Sequence, residues 1–167
     1  MSDVIPLRPR RPGGHVQRHP VRRAPVATDW YQRGVALEAV DPVAAAEAYR
    51  RALEARPDLA DAHNNLGRLQ HEAGHLGAAE AHYRRALATD PGVGLYWFNL
   101  GVVLEDQARP GDARSAYQQA VEHAPDLAEA HFNLAHLLER AGDLDSMRAA
   151  IRHLHRYRAL TRGRRTA

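Results

Sequence analysis

The chain has 167 residues, a formal net charge of +3 and no cysteine. That length holds one domain with a sizeable core, and the missing cysteine excludes a disulfide frame, a thiolate zinc site and a cysteine nucleophile. No apolar run approaches the roughly 20 residues that span a bilayer and the amino terminus lacks a secretory apolar stretch, so a cytoplasmic protein is expected. All 23 basic residues are arginine, a composition that a GC-rich coding bias produces and that points to a bacterial source. Charge is segregated: residues 1–25 hold six arginines and one aspartate, 26–147 ten arginines against nineteen acids, and 148–167 seven arginines and no acid. The picture is an acidic middle between two basic ends.

In chain order, residues 1–25 carry five prolines, an adjacent glycine pair and little to bury, which predicts a disordered basic arm. From Val26 a 34-residue period takes over. It links Tyr49, Tyr83 and Tyr117; Ala45, Ala79 and Ala113; Ala52, Ala86 and Ala120; and Pro57, Pro91 and Pro125. A fixed period of this length marks stacked helical units that bury their apolar faces only against each other. Four units are expected, at about 26–59, 60–93, 94–127 and 128–161, within a solenoid over 26–162 and before a flexible tail at 163–167. Gly34 precedes Gly67 by 33 residues, so the first unit is one residue short.

Within the units, Thr28 is the expected cap of the first helix and Asp41-Pro42 opens the second. Asp58 is expected to cap a helix to about Glu72, Gly74 breaks it, and the next helix runs to about Thr89. Arg109-Pro110-Gly111 forms the turn of unit three, with proline in the first helical turn. Asp126 and Glu129 have capping-box spacing at the start of unit four. Ala159 stands where proline would end the last helix, so that helix is expected to run from about Leu144 to Arg162. Its expected buried stripe is Leu144, Met147, Ile151 and Leu154, with Arg148, Arg152 and Arg156 on a polar capping face.

The spelling Trp97-Phe98-Asn99-Leu100-Gly101, then Ala113, Tyr117 and Pro125, resembles the tetratricopeptide repeat, a pair of antiparallel helices per unit. The resemblance implies an all-α, right-handed helix-turn-helix solenoid of four units with an extended C-terminal capping helix. Small residues at Gly67, Gly101, Ala135, Ala79 and Ala113 would let helices cross closely, and Leu66, Leu100, Leu134 and the tyrosines would fill the space between units.

Catalytic signals do not survive inspection. His71-Glu72-Ala73-Gly74-His75 spells the H-E-x-x-H zinc signature, but that chemistry needs both histidines on one continuous helix, and the repeat register puts Gly74 at a helix break. Gly92-Val93-Gly94 lacks the third glycine and the strand of a dinucleotide fingerprint. His63 and His131 share a column with Trp97 and read as packing. No catalytic residue, metal site or cofactor is expected.

The binding signal is an amide ladder, Asn65, Asn99 and Asn133, with Gln32 in the matching column of unit one. The family resemblance implies that this column faces a concave groove. An asparagine offers a donor and an acceptor to a peptide amide without reading sequence, and the ladder resembles that of O-linked N-acetylglucosamine transferases, whose catalytic domain has no counterpart here. The same resemblance places Tyr31, Asn64, Phe98 and Phe132 in one groove column, Val35, Arg68, Val102 and His136 in the next, then Glu38, His71, Glu105 and Glu139, with Glu72, Asp106 and Arg140 beside them. Aromatics there would anchor an apolar residue, and carboxylates would favour a basic ligand. The carboxylate clamp of cochaperone repeats is not matched: Tyr31 and Val35 stand in place of lysine and asparagine, and Leu95 and Asn99 in place of two bases.

The expected function is a non-catalytic adaptor that binds an extended basic or neutral peptide, with the protein's own arginine arm as one candidate occupant of the groove. The alternative is a transcription-linked protein whose arginines at 8–23 and 148–165 contact phosphates, since the repeats also resemble the tails of some MerR-type regulators. That reading predicts steep salt dependence.

Overall fold

The computed structural model describes residues 26–164, with side chains to Arg162. The arm expected over 1–25 and most of the expected tail lie outside the described residues. Eight helices follow in order: α1 Ala27–Leu37, α2 Pro42–Ala55, α3 Ala60–Glu72, α4 Leu76–Thr89, α5 Gly94–Asp106, α6 Pro110–His123, α7 Ala128–Ala141 and α8 Leu144–Arg164. Each odd helix pairs chiefly with the even helix after it, and each even helix then packs on the next odd one. This is the expected all-α solenoid of four units.

The helix starts differ in cause. Asp41 caps α2 by accepting from the Ala44 amide at 3.0 Å, with Pro42 in the first turn. Three expected caps are corrected. α1 starts from Val26, whose amide donates to the Asp29 carboxylate at 3.1 Å, so Thr28 lies inside the helix. α3 and α7 start after Leu59 and Leu127, without a side-chain cap from Asp58 or an Asp126–Glu129 box. Leu59 is buried and Leu127 half-buried, and anchoring those leucines fixes the entry of each helix.

The turns inside units two and three end in a left-handed residue, Gly74 at φ +79° and Ala108 at φ +57°. Each carries the six-to-one bond of a Schellman turn, from His75 N–H to Gln70 C=O at 2.8 Å and from Arg109 N–H to Leu104 C=O at 2.9 Å. Gly142, φ +76°, holds the same column in unit four. Glycine adopts this conformation without Cβ strain, whereas Ala108 holds it at a cost.

Packing explains the repeat spelling. The rings of Tyr49, Tyr83 and Tyr117 are wholly buried and lie directly on Gly34, Gly67 and Gly101. A Cβ at those glycines would come within 2.5, 2.9 and 2.5 Å of the tyrosine Cε1 atoms. Glycine and tyrosine are therefore one device: the missing side chain makes the seat for the ring. Leu66, Leu100 and Leu134 are buried in the same cores.

In unit four that device is absent, because Ala135 and Ile151 occupy the two columns. Of the expected α8 stripe, Leu144, Met147 and Ile151 are 77, 45 and 53 % exposed, and Ala150 is buried instead at 1 %. Met147 stands in the column of Ala79 and Ala113, both fully buried at the close crossing. Methionine is too large for that crossing, and α8 is turned so that Ala150 takes the place. Leu154 keeps a partly buried position against the core.

Candidate functional site

α3 and α5 touch each other across the unit boundary, which puts the odd-numbered helices on the tighter, inner side of the stack. The ladder and its neighbours lie along this wall, and the structure joins many of them by hydrogen bonds within the protein.

One chain of bonds runs through three units. Asn99 Nδ2 donates to Asn64 Oδ1 at 2.8 Å, Asn64 Nδ2 to Asn65 Oδ1 at 3.1 Å, Asn65 Nδ2 to the Tyr49 hydroxyl at 3.1 Å, and Tyr49 to Glu38 Oε1 at 2.5 Å. A second, shorter relay links Asn133 Nδ2 to the Tyr117 hydroxyl at 3.1 Å and Tyr117 to Glu105 Oε2 at 3.1 Å. Burial first, and the neighbouring carboxylate as well, push both tyrosine hydroxyls well above their ordinary pKa. They stay protonated and donate at any physiological pH. Unit two breaks the pattern because His71 stands where Glu38 and Glu105 stand. Its Nε2 lies 2.6 Å from Asp106 Oδ2, and the Tyr83 hydroxyl makes no such bond.

The sequence-derived groove residues thus fall into two groups. Asn64 is buried at 6 %. Asn65, Asn99 and Asn133 are half-buried, with amide nitrogens committed inside the protein, while the Oδ1 atoms of Asn99 and Asn133 make no hydrogen bond among the described residues. Arg68 bridges Glu38 at 2.6 Å and Glu72 at 2.5 Å, so much of the charge in the first half of the groove cancels internally. Glu105 is engaged by Tyr117 and Asp106 by His71.

In the second group, Gln32 and His136 are exposed and Phe132 is 48 % exposed. Phe132 stacks on Tyr157 of α8 at 5.2 Å between ring centres, and Phe98 on Tyr117 at 5.8 Å. These are two separate aromatic pairs, one on α5 and α6 and one on α7 and α8. Of the two motif histidines, His71 lies in the last turn of α3 and His75 precedes α4, with left-handed Gly74 between them. They do not share a helix face.

The outer face holds a feature that sequence reasoning missed. His63 Nε2–H donates to the Pro57 carbonyl at 2.9 Å, which leaves Nδ1 to accept from His82 Nδ1–H at 3.0 Å. His131 repeats this with Pro125 at 3.2 Å and His153 at 2.8 Å, and Trp97 makes the equivalent bond to Pro91 at 2.8 Å. Burial, then the facing histidine and nearby arginines, push His82 down to about 4. Burial likewise lowers His63, His131 and His153. Ring centres 5.3 and 5.1 Å apart mean that the rings meet head-on, the geometry of a shared proton rather than of two lone pairs converging on a metal. The first pair lies on the floor of a cleft of about 750 Å³ between α2 and α4, with Arg50, Leu53 and Arg85 on its walls. The partners His82 and His153 are 19 and 22 residues from their mates, off any common register, so the repeat period gave no signal for them.

The sequence matches the tetratricopeptide repeat family over residues 35–94 and 98–158. Among solved structures, the chain is similar to MamA, with a TM-score of 0.74 at 17% identity over 84% of this chain and 81% of that one. It is similar to a mutant O-GlcNAc transferase from Thermobaculum terrenum, with a TM-score of 0.63 at 32% identity over 67% of this chain but only 22% of that one. The first repeat domain of Spaghetti (RPAP3), bound to the HSP90 peptide SRMEEVD, gives a TM-score of 0.66 at 16% identity over 70% and 94%. Comparison with curated protein sequences finds no match.

Proposed function

The chain belongs to the tetratricopeptide repeat family, a fold of protein–protein interaction scaffolds, and on that premise we propose that it is a non-catalytic adaptor binding an extended peptide along the inner wall. The observation that carries the reading is the half-exposed Phe132. It packs on Tyr157 of α8, one residue before Asn133 with its unused Oδ1 acceptor, and Phe98 holds the same column one unit earlier on Tyr117. The aromatics anchor an apolar side chain, and the Oδ1 atoms of Asn99 and Asn133 accept from peptide N–H groups. Gln32 and His136 add exposed polar contacts along the wall.

The partner is basic or neutral. With Glu38 and Glu72 sharing Arg68, the apolar anchor contributes more to selection than charge does. A carboxylate clamp of the kind expected for chaperone tails finds no support, since Leu95 is exposed and Tyr31 packs on Tyr49. The O-GlcNAc transferase likeness extends to only 22% of that chain, so its chemistry is not carried over to this one. Among the described residues no helix is long and apolar enough to cross a membrane. The arginine-only basic set supports a bacterial source, and the proposal places the adaptor in the cytoplasm.

The test selects binders from a library of randomised unstructured peptides and measures them against Phe132→Arg and Asn99→Ala. Selected peptides share an apolar anchor, and Phe132→Arg weakens them about tenfold or more, the equivalent of roughly 1.4 kcal/mol. Binders that lack an apolar residue, or that are indifferent to Phe132→Arg, overturn the proposal.

A further inference from the structure

The two ends of the solenoid are finished differently. On α3, α5 and α7 the face that receives the preceding helix carries Ala62, Leu66 and Leu69, then Tyr96, Leu100 and Val103, then Ala130, Leu134 and Leu137, all buried. The same columns on α1 hold Asp29, Arg33 and Ala36, all exposed, so the first end carries two charged residues where the inner units are apolar. At the other end α8 packs on α7 and leaves Leu144, Met147 and Ile151 exposed. They stand at i, i+3 and i+7 on one helical face. The same stripe continues through His155, Arg158 and Arg162, all exposed, with Arg148 and Arg152 along its edge. The outward face of α8 is therefore apolar in its first half and cationic in its second, with Asp145 as its only acid.

α2, α4 and α6 are each followed by a further helix that packs on them, whereas no helix follows α8 among the described residues. We propose that the outward face of α8 is a docking surface for an amphipathic helix of another protein, with an apolar stripe in one half and carboxylates in the other. Charge and face chemistry exclude the nearer candidates. Residues 1–25 carry six arginines against one acid and would meet the cationic half with like charge. A second copy docking by α8 would set arginine against arginine. A second copy docking by α1 would bring Asp29 and Arg33 where an apolar stripe is needed. An acidic amphipathic helix satisfies both halves.

The experiment uses the full chain and a synthetic helical peptide of about four turns, with leucines at i, i+3 and i+7 in one half and glutamates in the same stripe of the other. A control peptide carries lysines for the glutamates. The expected result is binding of the glutamate peptide, at least tenfold weaker binding of the lysine peptide, and loss of affinity as salt rises. Ile151→Glu and Met147→Glu lower affinity for the glutamate peptide at least tenfold; both residues are exposed, and circular dichroism verifies that the variants stay helical. Gln118→Ala, at an exposed position on α6, leaves it unchanged. No binding, or equal binding of both peptides, overturns the proposal. So does self-association in the ultracentrifuge that Ile151→Glu abolishes, which would make a second copy the occupant. Ile151-dependent binding to anionic phospholipid vesicles without peptide binding overturns it in favour of a membrane surface.

Discussion

Replacing Tyr49 or Tyr117 by phenylalanine removes one hydroxyl and nothing else, and the structure makes an uneven forecast for this uniform change. Each of these hydroxyls accepts from an asparagine of the next unit and donates to a glutamate of its own. Tyr83 has the same buried ring on the same kind of glycine seat but no such bonds. A neutral hydrogen bond contributes about 1 kcal/mol net, and one to a charged group about 1.5–3 kcal/mol. Both asparagines and both glutamates are half-buried, so water offsets part of the loss. Tyr49→Phe and Tyr117→Phe should each destabilise by about 1.5 kcal/mol, and Tyr83→Phe by under about 0.5 kcal/mol. Urea unfolding followed by circular dichroism resolves these differences, as does a thermal shift of about 2–4 °C per kcal/mol. Equal destabilisation at all three sites, or none at Tyr49 and Tyr117, would refute the assignment of the relay as an inter-unit clasp.

Three further perturbations have defined outcomes. Gly101→Ala places a Cβ at 2.5 Å from the Tyr117 ring and should destabilise by about 1–3 kcal/mol, which denaturant midpoints would register. Ala108→Gly relieves a left-handed φ of +57° and should raise the thermal midpoint, with a gain of about 1 kcal/mol; a loss would contradict the strain. Acid should weaken the fold above the carboxylate range. The four paired histidines have folded pKa values depressed below the unfolded 6.5, His82 to about 4. The unfolded chain therefore takes up protons first, and stability present above pH 6.5 is lost as pH falls toward 4. At His82 the loss between pH 7 and 5 is on the order of 1 kcal/mol once screening at this partly exposed ring is allowed for, and the other three histidines add to it in the same direction. His82→Asn, which keeps a donor toward His63, should flatten that dependence; midpoints equal at pH 7 and 5 would contradict it.

The fold was legible because each unit must bury the same face, so the glycine, alanine and tyrosine columns repeat wherever one helix crosses another. The departures also lay in those columns. Ala135 and Ile151 in place of glycine and tyrosine signal that the last crossing differs, but not which way α8 turns, and the stripe read as buried faces out. Helix starts were misplaced at Thr28, Asp58 and Asp126, where anchoring Leu59 and Leu127 or the Asp29 contact decides the entry. The asparagine ladder was legible as a row. Its internal bonding was not, because Tyr49, Tyr117, Glu38 and Glu105 reach it across the boundary between units, which the column pattern alone does not pair. The histidine pairs are half legible: His63 and His131 share the Trp97 column, but their partners His82 and His153 lie off any common register.

Isotope-edited NMR with a library-selected peptide would locate the binding surface directly. Groove binding predicts that the largest amide shifts fall on α5 and α7, around Phe98, Asn99, Phe132 and Asn133, with smaller shifts on α1 and α3. Shifts concentrated on α2, α4 and α6, around the cleft above His63 and His82, would contradict it and move recognition to the outer face.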